Sequence, residues 1–467
     1  MKRNVLQQLP AVETVLRQPA LAEALADLPR PVVVEAVRGA VDDARARLRA
    51  NGKAPAPDAA ALATAAAAAA ARAARPALAR VLNATGIVLH TNLGRAPFAA
   101  PARAAIGRIA AGYSSLELDL ATGRRGERGA GVERWLTRLT GAEAAVAVNN
   151  GAGAVLLALS ALAAGRGVLV SRGELVEIGG SFRVPEVMEK SGARLIEVGA
   201  TNRTHLEDYE RAFGKHGDVA AILRVHRSNF RMEGFTKQPA LPEMAALARK
   251  KRVPLIEDLG SGALVDVAAF GLEHEPTVLE SLRQGVDLVT FSGDKLLGAS
   301  QAGMVLGREK WVKKLRRDPL ARALRLDKLA LAALEATLPL YADPERAVRE
   351  IPALVMLAAT PDALRKRARR LKAALEKRVP GIEAALAEGA GEVGGGALPL
   401  QRLPGPVVDV RAAGLSARAL EAAARAAEPP IIGVIRNDRL RLDPRTLADA
   451  EVAELAAALA ASLRDTE

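Results

Sequence analysis

The chain has 467 residues, half of them hydrophobic, a formal net charge of +13 and no cysteine. Such a length admits two or three domains around a large core. The lack of thiols excludes disulfides, thiolate metal sites, a cysteine nucleophile and a protein-borne persulfide, and it fits a reducing compartment. The basic balance favours a polyanionic partner, nucleic acid first, although an Arg-rich composition spread along the chain accounts for it as well.

Residues 1–10 lack the apolar core of a signal peptide. Residues 1–53 read as short helices: Leu6, Val12, Val15 and Leu16 fit one stripe, and Pro29 and Pro31 separate it from a longer helix over 32–49. On that helix Arg38, Arg45 and Arg49 share a face, and this part of the chain is basic by itself. Ala54-Pro55-Ala56-Pro57 is a linker signal, and the alanine tract after it predicts a connecting helix. Alanine is too weakly apolar for a membrane span, and Arg72 and Arg75 close the tract, so the expectation is a cytoplasmic protein without a membrane partner. Residues 1–75 are expected to form an N-terminal helical domain.

Strands alternating with helices begin near residue 80. Apolar runs at 144–148, 168–170, 195–198, 220–225 and 253–257 are short, as strands are when both sheet faces are covered. Gly151-Ala152-Gly153 leads from the first of them into a helix over 154–164. Two further strands, 288–291 and 302–306, flank a polar turn, and a helix over 329–341 closes a large domain, residues 76–343. The fold class is α/β with a mainly parallel sheet. Past Pro344 a smaller α+β domain, residues 344–467, carries helices near 362–378 and 417–427 and strands near 407–408 and 431–435. The basic run at 365–372 reads better as a solvated helix face than as an RNA contact.

The polar turn holds the most telling residue. Lys295 follows Ser292-Gly293-Asp294 between two apolar strands, an unusual place for a lone charge. A lysine that forms a Schiff base with an aldehyde cofactor needs such a position, though an exposed turn lysine fits this stretch alone equally. Asn150, Gly151 and Ala152 join a strand to a helix N-terminus, where free amides suit a phosphate; no Gly-Lys-Ser/Thr follows, so this is not a P-loop. Asp258 ends a buried strand and can hold a pyridine nitrogen protonated. Ser228 and Asn229 could bond the ring oxygen, and Ser292 could share the phosphate. Each feature alone also reads as an N-cap, a strand-end acid or a turn. Together they describe a pyridoxal 5'-phosphate site with no metal. A non-catalytic nucleic-acid-binding scaffold is the rival, against which the Lys–Asp pairing argues.

Several longer stretches resemble one family. Gln8-Leu-Pro-Ala-Val-Glu, Asn83-Ala-Thr-Gly-Ile-Val-Leu-His-Thr-Asn-Leu-Gly-Arg95, Arg172-Gly-Glu-Leu-Val-Glu-Ile-Gly-Gly-Ser-Phe-Arg183, Val225-His-Arg-Ser-Asn-Phe, Phe291-Ser-Gly-Asp-Lys295 and Leu326-Asp-Lys-Leu-Ala-Leu-Ala-Ala-Leu-Glu-Ala-Thr are similar to bacterial selenocysteine synthase, L-seryl-tRNA(Sec) selenium transferase, over nearly the whole chain. The resemblance implies a fold-type I pyridoxal-phosphate transferase with a seven-stranded type of sheet and a small C-terminal domain, assembled as a homodecamer. It implies conversion of L-seryl-tRNA(Sec) to L-selenocysteinyl-tRNA(Sec) with selenophosphate, by loss of the serine hydroxyl to a dehydroalanyl ester and addition of selenium. It also implies that Lys295 is the cofactor lysine, that Arg95 and Arg322 or Arg325 handle anions at the active site, and that the N-terminal domain grips the tRNA. Asn150-Gly151-Ala152-Gly153 and the alanine tract depart from the family's pattern. The runner-up is a pyridoxal-phosphate lyase acting on a phosphorylated amino acid or amino sugar, which explains Lys295, Asp258 and the arginines but not the basic N-terminal domain.

Overall fold

In the computed structural model, which describes residues 5–50, 55–74, 76–178 and 182–464, Val33, Val37, Val41, Ala44 and Leu48 form one buried stripe along helix α1 (Arg30–Ala50). Their spacing of three or four is that of an amphipathic helix with a single covered face. The alanine tract forms α2 (Ala59–Ala74) and does more than connect: Leu62, Ala63 and Ala66 pack in one core with Val15, Leu16 and Leu21. Alanine favours helix and lets helices approach closely. These helices make up a compact unit, Met1–Arg80, and Val81–Glu467 form a second. Ala54 of the predicted linker, Arg75, and the Gly179-Gly180-Ser181 of one family-like stretch lie outside the described residues. No helix among the described residues is long and apolar enough to cross a membrane.

The second unit is built on a seven-stranded sheet. Its strands are β1 (Ala144–Val148), β2 (Gly167–Ser171), β3 (Arg194–Val198), β4 (Val219–Val225), β5 (Leu255–Gly260), β6 (Leu288–Ser292) and β7 (Gly303–Gly307), in the spatial order β1-β7-β6-β5-β4-β2-β3. Only β7 runs against its neighbours. Successive side chains of a strand face opposite ways. Leu288 and Val305 accordingly join one core, with Val168 and Ile256, while Val289, Phe291 and Met304 join the other, with Leu169 and Leu255. Covering both faces is what allows short, fully apolar, parallel strands.

The C-terminal sheet departs from expectation. In place of a short strand near 407–408 there is a long antiparallel hairpin, β8 (Ile382–Gly394) and β9 (Arg402–Ala412). The Ala- and Gly-rich β8 has low intrinsic strand propensity, so sequence reading assigns it nothing; pairing with β9 along its length holds it extended. The early strand Ile87–Leu89 pairs with the end of β8, Ile87 against Glu392 and Leu89 against Gly394. This pairing brings the tip of the hairpin to the large sheet. On the helix Pro361–Arg378, Arg367 and Arg370 pair with Asp449, Arg365 with Asp362 and Lys372 with Glu376.

Candidate active site

The carboxyl ends of β4, β5 and β6 lie side by side, with Val225 opposite Asp258 and Asp258 opposite Thr290. Open α/β sheets bind ligands at such edges. The chain leaves β6 into a tightly held turn. Gly293 N donates to Ala302 O at 2.9 Å, Ala299 N to Gly293 O at 2.8 Å and Leu296 N to Ser261 O at 3.1 Å. The Tyr341 hydroxyl donates to the carbonyls of Leu296 and Leu297 at 3.2 and 2.9 Å. Lys295 is thereby only 6% exposed, which disposes of the exposed-turn reading. Burial pushes its amine below the usual lysine range; Asp258, Asp294 and Glu275 favour the charged form, and Arg95 disfavours it. An amine that sheds its proton readily is a competent nucleophile toward an aldehyde.

Asp258 is equally enclosed. Burial raises its carboxyl above the usual range, opposed by the Thr290 hydroxyl, which donates to Oδ1 at 2.9 Å, and by the charges of Lys295 and His226. A buried carboxylate is costly without a strong donor, and a protonated heterocyclic nitrogen would supply one.

Asn150 caps the helix α3 (Gly151–Ala163), its Oδ1 accepting from Gly153 N at 2.7 Å. The Gly151 and Ala152 amides have no acceptor among the described residues, so they and the helix dipole face outward toward any anion. Ser292 stands across from them: a Cβ on Gly151 would lie 2.6 Å from the Ser292 Oγ. Only glycine leaves this cradle open. Ser228, 1% exposed, has an Oγ without a partner among the described residues, and that atom and the Lys295 Nζ both lie within 3.7 Å of the point a Cβ on Gly260 would occupy. These groups — free amides, an unpartnered buried hydroxyl, a buried acid and a buried amine — fit the phosphate, ring oxygen, ring nitrogen and aldehyde of pyridoxal phosphate.

The remaining predicted residues are dispersed. Asn229 is exposed and gives its amide to Glu177 O at 2.9 Å, although it lines the same cleft as Ser228. Arg95, at φ +63°, pairs through Nη1 with Asp294 Oδ2 at 2.5 Å, while its Nε is buried without a partner among the described residues. Arg322 and Arg325 line a separate cavity of about 360 Å³ beside β1, where Arg325 pairs with Glu117 at 3.2 Å. Arg325 also bridges to Val148, and Asn149 N donates to Leu324 O at 2.9 Å, so this segment braces the strand that leads into the cradle.

Sequence reading misses three contributors. Asp294 holds Arg95. Gly396, at φ +87°, lies against the lysine so closely that a Cβ there would meet its Nζ at 2.4 Å. His226 bonds through its backbone N to Asp258 O at 2.9 Å. The triple glycine at 394–396 was the available signal for the second, but only the folded hairpin shows what it covers. Beside it a cleft of about 490 Å³ opens to solvent, lined by His90, Thr91, Ser228 and Gly394 among others. Glu174, from the family-like stretch after β2, is fully buried; it pairs with Arg224 at 2.9 Å and accepts from Val225 N at 3.1 Å, fixing the end of β4 from which Ser228 departs.

A family model described as L-seryl-tRNA selenium transferase matches residues 81–448, and one described as the selenocysteine synthase N terminal matches residues 6–45. The L-seryl-tRNA(Sec) selenium transferase of Geobacter sulfurreducens is 48% identical over 458 residues, spanning 98% of this chain and 99% of that one. That of Solidesulfovibrio magneticus is 50% identical over 463 residues, spanning 98% of each. Among solved structures, D-glucosaminate-6-phosphate ammonia-lyase superposes with a TM-score of 0.55 at 22% identity, covering 83% of this chain and 96% of that one, and so shares the fold.

Proposed function

The chain belongs to the L-seryl-tRNA selenium transferase family, and on that premise we propose how its own residues carry the reaction. The substrate is L-seryl-tRNA(Sec), the product L-selenocysteinyl-tRNA(Sec), the selenium donor selenophosphate and the cofactor pyridoxal phosphate. When bound, the cofactor supplies an electron sink that makes loss of the α-proton and of the β-hydroxyl accessible. Lys295 would hold the cofactor by its aldehyde, and its Nζ, when free, would be the base that takes the seryl α-proton. Asp258, backed by the Thr290 hydroxyl, would accept from the ring nitrogen and favour its protonated form. Gly151, Ala152 and Ser292 would hold the phosphate, and Ser228 would donate to the ring oxygen.

Arg95, steadied by Asp294, offers its unpartnered Nε to an anionic donor. Of the other two arginines, Arg322 is exposed and has no acidic partner among the described residues, so it is the better placed for an anion arriving from solvent, whereas Arg325 is engaged by Glu117. Tyr113, Leu118 and Leu120 are large, exposed and close in sequence, which favours burial against further copies, the decamer of the resemblance, in the cytoplasm.

The observation that carries the reading is the buried Lys295 amine beside Asp258 at the carboxyl edge of the sheet. Incubating the protein with seryl-tRNA(Sec) and labelled selenophosphate should put the label on the tRNA. Ammonia release from a phosphorylated amino acid or amino sugar, with no label on tRNA, would replace this reading by the small-molecule lyase.

A further inference from the structure

Between the loop that leaves β4 and the tip of the β8–β9 hairpin runs a short strap, Glu273-His274-Glu275, bonded on both sides. Toward the β4 loop, Arg231 Nη1 donates to the two Glu273 carboxylate oxygens at 2.9 and 3.0 Å, and His226 Nε2 stands 3.4 Å from Glu275 Oε1. Toward the hairpin, Glu273 N donates to Gln401 Oε1 at 2.9 Å, and Glu275 Oε2 accepts from Leu398 N at 3.3 Å. His274 sits between Asp266 and Glu280, at 3.3 and 3.4 Å.

Glu275 is the buried member, 2% exposed, and its Oε1 makes no aligned hydrogen bond. A carboxylate is expensive to enclose when it is half satisfied. The loop it grips is also an uphill conformation. Gly394, Gly396, Leu398 and Leu400 have φ of +101°, +87°, +48° and +71°, and for the two leucines the left-handed region is sterically disfavoured. Such a loop persists only where its surroundings hold it. Two residues before Leu398, Gly396 lies against the Lys295 amine. On the other side of Glu275, His226 is bonded through its backbone to Asp258.

We infer that Glu275 is a positioning residue for selenium transfer: it ties the His226–Asp258 end of the site to the 394–400 loop and holds that loop closed on Lys295. The inference rests on the cofactor role proposed for Lys295, but the latch itself is a property of the protein without cofactor.

Two substitutions separate reach from charge. Glu275→Asp keeps the charge but withdraws the acceptor from Leu398 N. Glu275→Gln keeps an acceptor at the same reach but removes the charge. Amide exchange on the cofactor-free full chain should accelerate about tenfold over residues 394–401 in Glu275→Asp, the order of one lost hydrogen bond, and stay near wild type in Glu275→Gln. Capture of added pyridoxal phosphate, followed by absorbance, should weaken in Glu275→Asp and stay near wild type in Glu275→Gln, since only the first frees the loop that lies against Lys295. Wild-type exchange over 394–401 in the Asp variant would overturn the latch, and capture by the Asp variant equal to wild type would overturn the link from Glu275 to Lys295. Because exchange is read without cofactor, failure of the latch is distinguishable from failure of the cofactor reading, which would show as no capture in the wild-type protein.

Discussion

A lysine held by its own fold in a buried place that disfavours its charged form is a stability liability that function explains. The unfolded chain binds the Lys295 proton more tightly than the folded chain does, since burial lowers the folded pKa. Where the unfolded state binds more protons, stability rises with pH. Cofactor-free protein should therefore gain stability as pH climbs from the depressed folded value of Lys295 toward the ordinary lysine value, and Lys295→Met should remove that part of the slope. The same substitution should abolish borohydride-fixable cofactor without lowering the melting temperature near neutral pH, a gain at the expense of activity. Thermal melts across pH with a slope identical to wild type would show that Lys295 is not the buried titrating group. At this scale the positions of the candidate residues were largely legible. Asp258 and Ser292 lie at the carboxyl ends of strands, Gly151 at the start of the helix after one strand and Lys295 in the turn after another, where the local pattern gives their place. Glu275 and Gly396 were not, because their meaning comes from partners more than a hundred residues away: Leu398 for the one and Lys295 for the other.

Elements built from apolar runs follow their sequences closely, because burial on both faces leaves β2, β4 and β6 no other use for their side chains. Helix α3 begins three residues before the predicted 154, since Asn150 rather than the glycines is its cap. That shift matters chemically: it places Gly151 and Ala152 in the first turn, with amides free for an anion. Gly151→Val should fill the space before Ser292 Oγ while leaving the helix in place, as only a side-chain clash at 2.6 Å is introduced. Affinity for pyridoxal phosphate should fall by on the order of tenfold or more, the scale of one or two charge-assisted hydrogen bonds, whereas pyridoxal lacking the phosphate should lose much less. Equal losses for both ligands, read by fluorescence titration of cofactor-free protein, would move the phosphate away from this helix. The β8 strand marks the limit of element-level reading. Its alanines and glycines carry no periodic signal, and its conformation is imposed by β9 and by the early strand Ile87–Leu89.

On the scale of the whole chain, charge and domain division bear on how a macromolecular substrate is held. The unit Met1–Arg80 has its own core and contributes none of the groups assigned to the cofactor. Along α1, Arg38 and Arg49 are exposed with no acidic partner among the described residues, whereas Arg45 is already paired with Asp42. A free exposed arginine can neutralise a phosphate and release a counterion; a paired one must first give up its acid. We propose that this face grips the tRNA body while its seryl end reaches Lys295. A chain beginning at Val81 should then retain the absorption of bound cofactor but lose tight binding of seryl-tRNA(Sec). Within the full chain, reversing Arg38 and Arg49 to Glu should weaken binding and flatten the log–log salt dependence by about two, roughly one per lost phosphate contact. Reversal of Arg45 alone should do less than either, an ordering that sequence reading, which grouped all three, does not contain. If the truncated chain binds seryl-tRNA(Sec) as tightly as the full one, the helical unit has another task. If Arg45 matters as much as its neighbours, the Asp42 pair must open on binding, which Asp42→Asn would reveal as tighter binding with a steeper salt slope.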